Sequence, residues 1–310
     1  MSGQLHASRR VVPSSPYSKS GRAVYLHICT SAFTWSNTWT QWRRSEAWYG
    51  RAPWEQGWCS PSELKGTTNW KQGALILRFV LDDTSLCFIN CHLAAGQTQT
   101  KDRNADATAI LENIVLPAER DPNVRQDSFV GGGDGSMVMD HEICILNGDL
   151  NYRIDTMGRD TVVGAVKANN LSKLLERDQL LNSKRKNPWF KLRAFQELPI
   201  TFAPTYKYDV GTDNYDTSEK KRAPAWCDRL LFRGKNKIRQ LDYRRHEVRV
   251  SDHRPVTGMF EITIKKISPK KRAAKWEECQ QKLLNMRDKQ GDAARYAQRC
   301  WRCWLLLTEC

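Results

Sequence analysis

The strongest constraint on how this chain folds is a repeated local pattern: an acidic residue at the edge of an apolar, strand-like run. It occurs in Ile145-Leu-Asn-Gly-Asp149-Leu-Asn151-Tyr-Arg153, in Pro224-Ala-Trp-Cys-Asp228-Arg-Leu-Leu-Phe232, and in Val250-Ser-Asp252-His253-Arg-Pro-Val256. An apolar run of this length predicts a buried strand, and its acidic end marks where that strand surfaces and can meet a ligand. Three such ends, joined by Asn151 and His253, predict a site for an activated water and a metal ion acting on a phosphate.

Strands interleaved with helical stretches, and polar residues gathered at strand ends, predict a layered α/β protein. The runs Ala74–Leu81 and Ser85–Cys91, joined by Asp82-Asp83-Thr84, predict a hairpin. A polar helix is expected over Arg103–Glu119 and another over Thr161–Leu181, with strands over Cys227–Phe232 and Val256–Ile264. Residues 128–140 form a Gly-rich stretch without the G-K-[ST] ending of a phosphate cradle, and are expected to be a surface loop.

Before residue 67 the texture differs. Seven of the twelve tryptophans lie in the first 70 positions and follow neither helix nor strand period. Residues 1–66 are therefore read as an irregular, Trp-rich segment, 67–264 as the catalytic domain, and 265–310 as a basic helical tail. Residues 265–275 carry six basic residues and no acid, and an apolar end at Trp301–Leu307 follows. The tail suits an anionic membrane or a partner, and equally a solvated helix.

The net charge of +15, from 49 Lys and Arg against 34 Asp and Glu, draws polyanions: nucleic acid, anionic lipid or a phosphorylated small molecule. Ten cysteines form no framework, and several sit inside apolar runs, as in a reducing compartment. Cys300-Trp-Arg-Cys303 has no second pair at zinc spacing. No apolar run is long enough to span a membrane.

The spacing of Asp149 and Asn151 places both side chains on one face, where a carboxylate can take a proton from water and an amide can hold a phosphate oxygen. His253 is most useful protonated, a state that Asp228 or Asp252 would favour.

Asn147–Arg153 together with Pro224–Leu231 resembles the paired signature of the inositol polyphosphate 5-phosphatases, within the DNase I-like endonuclease/exonuclease/phosphatase superfamily. Ile89–Ala95, Phe202–Asp209, Thr217–Arg222 and Ser251–Pro255 agree, in the family's order. The resemblance implies a four-layer α/β sandwich, two packed β-sheets flanked by helices. It implies Asp149 as general base, Asn151 as the residue orienting water and phosphate, and His253 on the scissile phosphoryl group. Asp228 would orient the imidazole, with His92 and Asp252 completing the phosphate and metal surroundings. Tyr206, Lys207, Lys220 and Arg222 would grip a neighbouring phosphate, and Arg229 of the same signature is assigned to substrate binding with them. Mg²⁺ is the implied cofactor, with Asp252 a candidate ligand.

The family's early strand with a Gln-Glu pair, whose Glu is the principal metal ligand, is not found; only Glu46, Glu55 and Glu63 precede Asp82. The expected function is a Mg²⁺-dependent phosphatase removing the 5-phosphate of phosphoinositides or soluble inositol polyphosphates. The alternatives are a catalytically impaired phosphoinositide- or protein-binding relative and a nuclease of the same superfamily. A cytoplasmic protein, peripheral at anionic membranes and not binding nucleic acid, is expected.

Overall fold

The computed structural model describes residues 6–8, 21–30, 57–63, 73–121, 124 and 126–290, with the strands at 6–8 and 57–63 described by their backbone alone. Five strands form one sheet in the order β3 (Gly57–Glu63), β4 (Gly73–Leu81), β5 (Thr84–His92), β6 (Ile143–Asp149) and β7 (Asp228–Arg233). The other sheet has the order β1 (His6–Ser8), β2 (Gly21–Thr30), β9 (Val256–Lys265) and β8 (Ile238–Arg245).

The two sheets pack face to face over Leu26, Ile28, Phe88, Ile145, Leu230, Phe232, Phe260 and Ile262. On its other face the five-stranded sheet meets helix α1 (Thr100–Thr108) and the turn after it. Ile76, Ile89 and Leu146 pack there with Ala107, Ile110 and Leu180. Strand β6 lies at the centre and every residue of it is buried. Apolar cores on both faces explain why it reads as one continuous apolar run rather than an alternating one. This is the α/β sandwich expected from the sequence.

The hairpin forms as expected: β4 and β5 pair antiparallel about a tight turn, with Asp82 at φ 51°. The helix expected over 161–181 is three short ones, α2 (Arg159–Lys167), α3 (Leu171–Leu175) and α4 (Gln179–Lys186). The first break falls at Asn169, in the left-handed region at φ 52°. Asn170 and Asp178 then cap the next two helices through their side chains. The segment read as irregular contributes strands, and β2 runs along the whole of β9 from Gly21↔Lys265 to Thr30↔Val256.

At the far end of β9 the chain turns into α5 (Pro269–Gln290). Asp83 fixes this junction: its N–H donates to Lys265 O, and its carboxylate accepts from Ile267 N. Trp35, Trp39, Trp42, Trp48, Trp54 and Trp70, Glu46 and Glu55, Cys300–Cys303 and Trp301–Leu307 fall outside the described residues.

Candidate active site

Register builds the centre of the site. Strand β6 pairs parallel with β5 and antiparallel with β7, and these pairings set Asp149 opposite both His92 and Asp228. Residues far apart in sequence thus stand in one row across three adjacent strands.

The row needs a close approach of β5 and β6, which Gly148 provides. At φ +124° it lies outside the region that side chains favour, and a Cβ there would meet Cys91 O at 2.2 Å. The turn after β6 is held by Asp149 itself, whose Oδ1 accepts from Asn151 N at 3.0 Å. This local bond supports the left-handed backbone of Asn151, φ 56°. The Asn151 amide is then oriented from both ends: Nδ2 donates to Leu93 O at 3.1 Å, and Oδ1 accepts from Arg153 Nη2 at 2.6 Å.

His253, in the loop before β9, completes the centre. Its Nδ1 lies 2.9 Å from Asp228 Oδ2, and its Nε2 lies 3.9 Å from Asp149 Oδ2. His92 Nε2 approaches the same Asp149 oxygen at 3.5 Å. Burial works against charge on His253, but the carboxylates of Asp228 and Asp149 outweigh it and raise its pKa to about 9. The imidazole is therefore a cation at neutral pH. Thr205 Oγ1 donates to Asp228 Oδ2 at 2.7 Å and fixes that carboxylate. Of the two carboxylates considered for His253, the structure selects Asp228.

Asp252 is used differently. It accepts from Lys207 Nζ at 2.6 Å, and although burial disfavours its charge, Lys207 and His253 hold its pKa below the usual carboxylate range. Among the described residues no group of three or more His, Cys, Asp or Glu is placed to hold a metal ion. Asp149 and Asp228 are engaged by His253, and Asp252 by Lys207. The described residues therefore do not by themselves fit the implied Mg²⁺.

Beside this centre lies an open groove of about 690 Å³, lined by Arg153, Arg159, Lys220, Lys221 and Arg222, with Tyr206 and, among the described residues, no acid on its walls. Tyr206 joins groove to centre: its ring lies 4.5 Å from the His253 ring, tilted by 39°, and the Arg153 guanidinium lies 4.5 Å from its centroid. The structure thus brings Tyr206, Lys220 and Arg222 to one anion-attracting surface.

Arg229 is a correction. Its side chain is wholly buried and ion-paired with Asp178 at 3.0 Å and Glu197 at 2.7 Å, so it cannot reach a substrate. Three residues of the site were missed in the sequence: Arg153, Thr205 and Gln179. The buried Gln179 amide uses its full bonding capacity behind the groove residues Gln97 and Arg153. Oε1 accepts from Arg153 N at 2.9 Å and Arg103 Nη2 at 2.6 Å, while Nε2 donates to Gln97 O at 2.9 Å and Asp155 Oδ1 at 2.7 Å. Arg153 stands inside the recognised segment and was legible there. Gln179 carries no local signal.

Residues 49–259 match the family described as Endonuclease/Exonuclease/phosphatase family 2, and the chain belongs to that family. The match begins at residue 49, inside the segment read as irregular and Trp-rich. The resemblance to inositol polyphosphate 5-phosphatases is borne out. A probable inositol polyphosphate 5-phosphatase of Schizosaccharomyces pombe is 46% identical over 224 residues, 72% of this chain and 19% of that protein. A synaptojanin of Caenorhabditis elegans is 40% identical over 209 residues, 66% of this chain and 17% of that protein. The chain thus spans less than a fifth of the curated relatives it matches. Among solved structures, the inositol polyphosphate 5-phosphatase domain of a synaptojanin, in complex with inositol (1,4)-bisphosphate and calcium ion, aligns with TM-score 0.61 and 36% identity. That alignment covers 76% of this chain and 63% of that one.

Proposed function

We propose that this protein is a phosphatase that removes the 5-phosphate from phosphoinositides such as phosphatidylinositol 4,5-bisphosphate or from soluble inositol polyphosphates. The observation that carries the reading is the row His92–Asp149–Asp228 with His253 held across it, opening beside a groove walled by cations.

In this reading the substrate's ring lies in the groove, and a phosphate neighbouring the scissile one meets Tyr206, Lys220 and Arg222. Arg222 suits a bidentate contact with phosphate oxygens. Lys207, neutralised in part by Asp252, lies 5.8 Å from the Tyr206 ring. The scissile phosphoryl group lies against His253, whose Nε2 proton is donated to a nonbridging oxygen. Asp228, accepting from Nδ1, keeps the ring charged and fixes which nitrogen faces the substrate. Asp149 takes the proton of the attacking water as the bond from phosphorus to the inositol 5-oxygen breaks, and that proton passes to the departing oxygen, leaving inorganic phosphate and a 5-hydroxyl; the Asn151 amide, already oriented by Leu93 and Arg153, holds the water or a phosphate oxygen. Fixed charge and position carry the chemistry, as phosphoryl transfer requires.

A divalent cation, Mg²⁺, belongs to the proposal by family, with Asp252 a candidate ligand. The solved relative's calcium ion supports a cation requirement. No step above is routed through it, since the described residues do not assemble its site. The same observation favours a second reading, a non-catalytic phosphoinositide- or protein-binding relative. The nuclease reading has less support, because five clustered cations around a compact groove suit a small polyphosphate better than an extended backbone.

A cytoplasmic protein, peripheral at anionic membranes, completes the proposal, supported by the net charge of +15. The experiment is phosphate release from short-chain phosphatidylinositol 4,5-bisphosphate, with and without Mg²⁺, for the chain and its Asp149→Ala variant. Release that needs both Mg²⁺ and Asp149 supports the phosphatase. Folded protein that binds but does not hydrolyse moves the reading to the binding relative.

A further inference from the structure

The turn that follows α4 has no part in the chemistry above. It presents Trp189 with 82% of its surface exposed, the most exposed large apolar side chain among the described residues. The turn is a built one. Asn187 Oδ1 accepts from Trp189 N at 3.0 Å, and Phe190 N donates to Asn187 O at 3.2 Å. The next residues, Phe190 and Leu192, are buried in the core beneath the helical layer. The backbone is thus tied down on one side of the indole, and the indole faces solvent.

Its surroundings are basic. The last turn of α4 carries Lys184, Arg185 and Lys186, and Arg193 lies exposed beyond the turn. No Asp or Glu occurs between residues 182 and 196. The acid that does reach this surface, Glu112, is neutralised by Lys191 at 2.5 Å. Lys184 is spent on Phe195 O, which leaves Arg185, Lys186 and Arg193 as the outward charges.

We infer that this turn docks the protein on an anionic lipid bilayer, with the Trp189 indole seated among the headgroups and Arg185, Lys186 and Arg193 against the lipid charge. The inference rests on the phosphoinositide reading and names the surface that would carry the enzyme to its substrate. An indole with an apolar body and one N–H prefers an interface, and an exposed one on a rigid base loses little entropy on docking. Each basic residue near an anionic surface strengthens attachment roughly fivefold.

Placement separates this surface from the basic tail. Helix α4 starts at Gln179, buried behind the groove residue Gln97 to which it donates, and its eight residues span about 12 Å. The tail helix α5 instead starts beyond Lys265, about 33 Å of strand away from Val256 at the His253 end of β9.

The test is flotation of the full chain with phosphatidylcholine vesicles, with and without phosphatidylserine, alongside phosphate release from soluble inositol 1,4,5-trisphosphate. Wild-type protein is expected on the phosphatidylserine vesicles. Trp189→Ala should lower the partition coefficient by about tenfold or more, the loss of a buried aromatic. Combined Arg185→Glu, Lys186→Glu and Arg193→Glu should abolish it, and Lys270→Glu with Lys271→Glu should leave it in place. Soluble turnover should match wild type in all three. Undiminished vesicle binding by Trp189→Ala, absence of binding by wild type, or loss confined to the tail variant would overturn the inference. Trp189-dependent vesicle binding by a protein that hydrolyses neither substrate would sink the phosphatase reading and leave the docking surface standing.

Discussion

Asp228 and Arg229 are neighbours on β7, yet the alternation of a strand sends them into regions with opposite demands. Asp228 faces the site, where it holds His253 and is itself held by Thr205. Its second oxygen is buried without a hydrogen-bond partner among the described residues. Arg229 faces the interior, where Asp178 and Glu197 take its guanidinium and Tyr243 donates to Glu197 at 2.9 Å. Each Arg229 nitrogen has an acceptor there. One cluster gives every guanidinium nitrogen an acceptor and contributes order. The other leaves capacity in reserve and keeps an imidazole charged. A buried ionic group becomes functional where its bonding is left open at the surface end of a strand.

Four experiments bear on this contrast. The largest effect is expected for Asp149→Asn, which should remove turnover while leaving the denaturation midpoint close to wild type; substantial residual activity would take the base role away from Asp149. Asp228→Asn should lower kcat by about 10²–10⁴-fold. It should also move the alkaline limb of the pH–rate profile to lower pH. The sign follows from the raised His253 pKa: the imidazolium is present below about 9 and is lost as pH rises through that value. An unmoved limb would detach Asp228 from His253. Its contribution to stability has the same sign, complete below the ordinary histidine pKa of about 6.5 and lost as pH rises towards 9.

Arg229→Leu should do the reverse, costing about 3–5 kcal/mol in urea denaturation because Asp178 and Glu197 are left buried and unpaired. Activity per folded molecule should be nearly unchanged, and a selective fall in kcat would place Arg229 back in the site. The smallest effect is expected for Arg222→Ala. It should raise KM for a substrate with a neighbouring phosphate by about tenfold, the loss of one charged hydrogen bond, and leave kcat alone. Equal KM changes for substrates with and without that phosphate would remove Arg222 from its recognition.

The same contrast shows what sequence could and could not reveal. Strands β6, β7 and β9 were legible because burial on one or both faces writes apolar residues into them. Strand β8 was not, since Ile238-Arg-Gln-Leu-Asp-Tyr-Arg-Arg245 lies at a sheet edge, where charged side chains are tolerated. Strand β2 was hidden in the Trp-rich surroundings, although Ala23–Ile28 alternates weakly. Asp149, Asn151 and His253 stood out by motif. Arg229 was carried into the site by the same motif, and strand alternation from Asp228 was the available warning. Gln179 was beyond reach, because its role depends on four partners drawn from Gln97, Arg103, Arg153 and Asp155.

The row across β5, β6 and β7 also governs when the site comes into being during folding. Its members come from positions 92, 149 and 228, and His253 joins from the loop before the final strand of the sandwich. Strand β5 can find β4 within a hairpin, but β6 must find β5 in parallel across a long connection, a slow, non-local pairing. Hairpin and helices therefore form early with no catalytic potential, and competence arrives only with the last long-range closure. A chain stalled on the way, or cut anywhere between His92 and His253, has no partial site, so recovery of activity on refolding should trail the recovery of secondary structure.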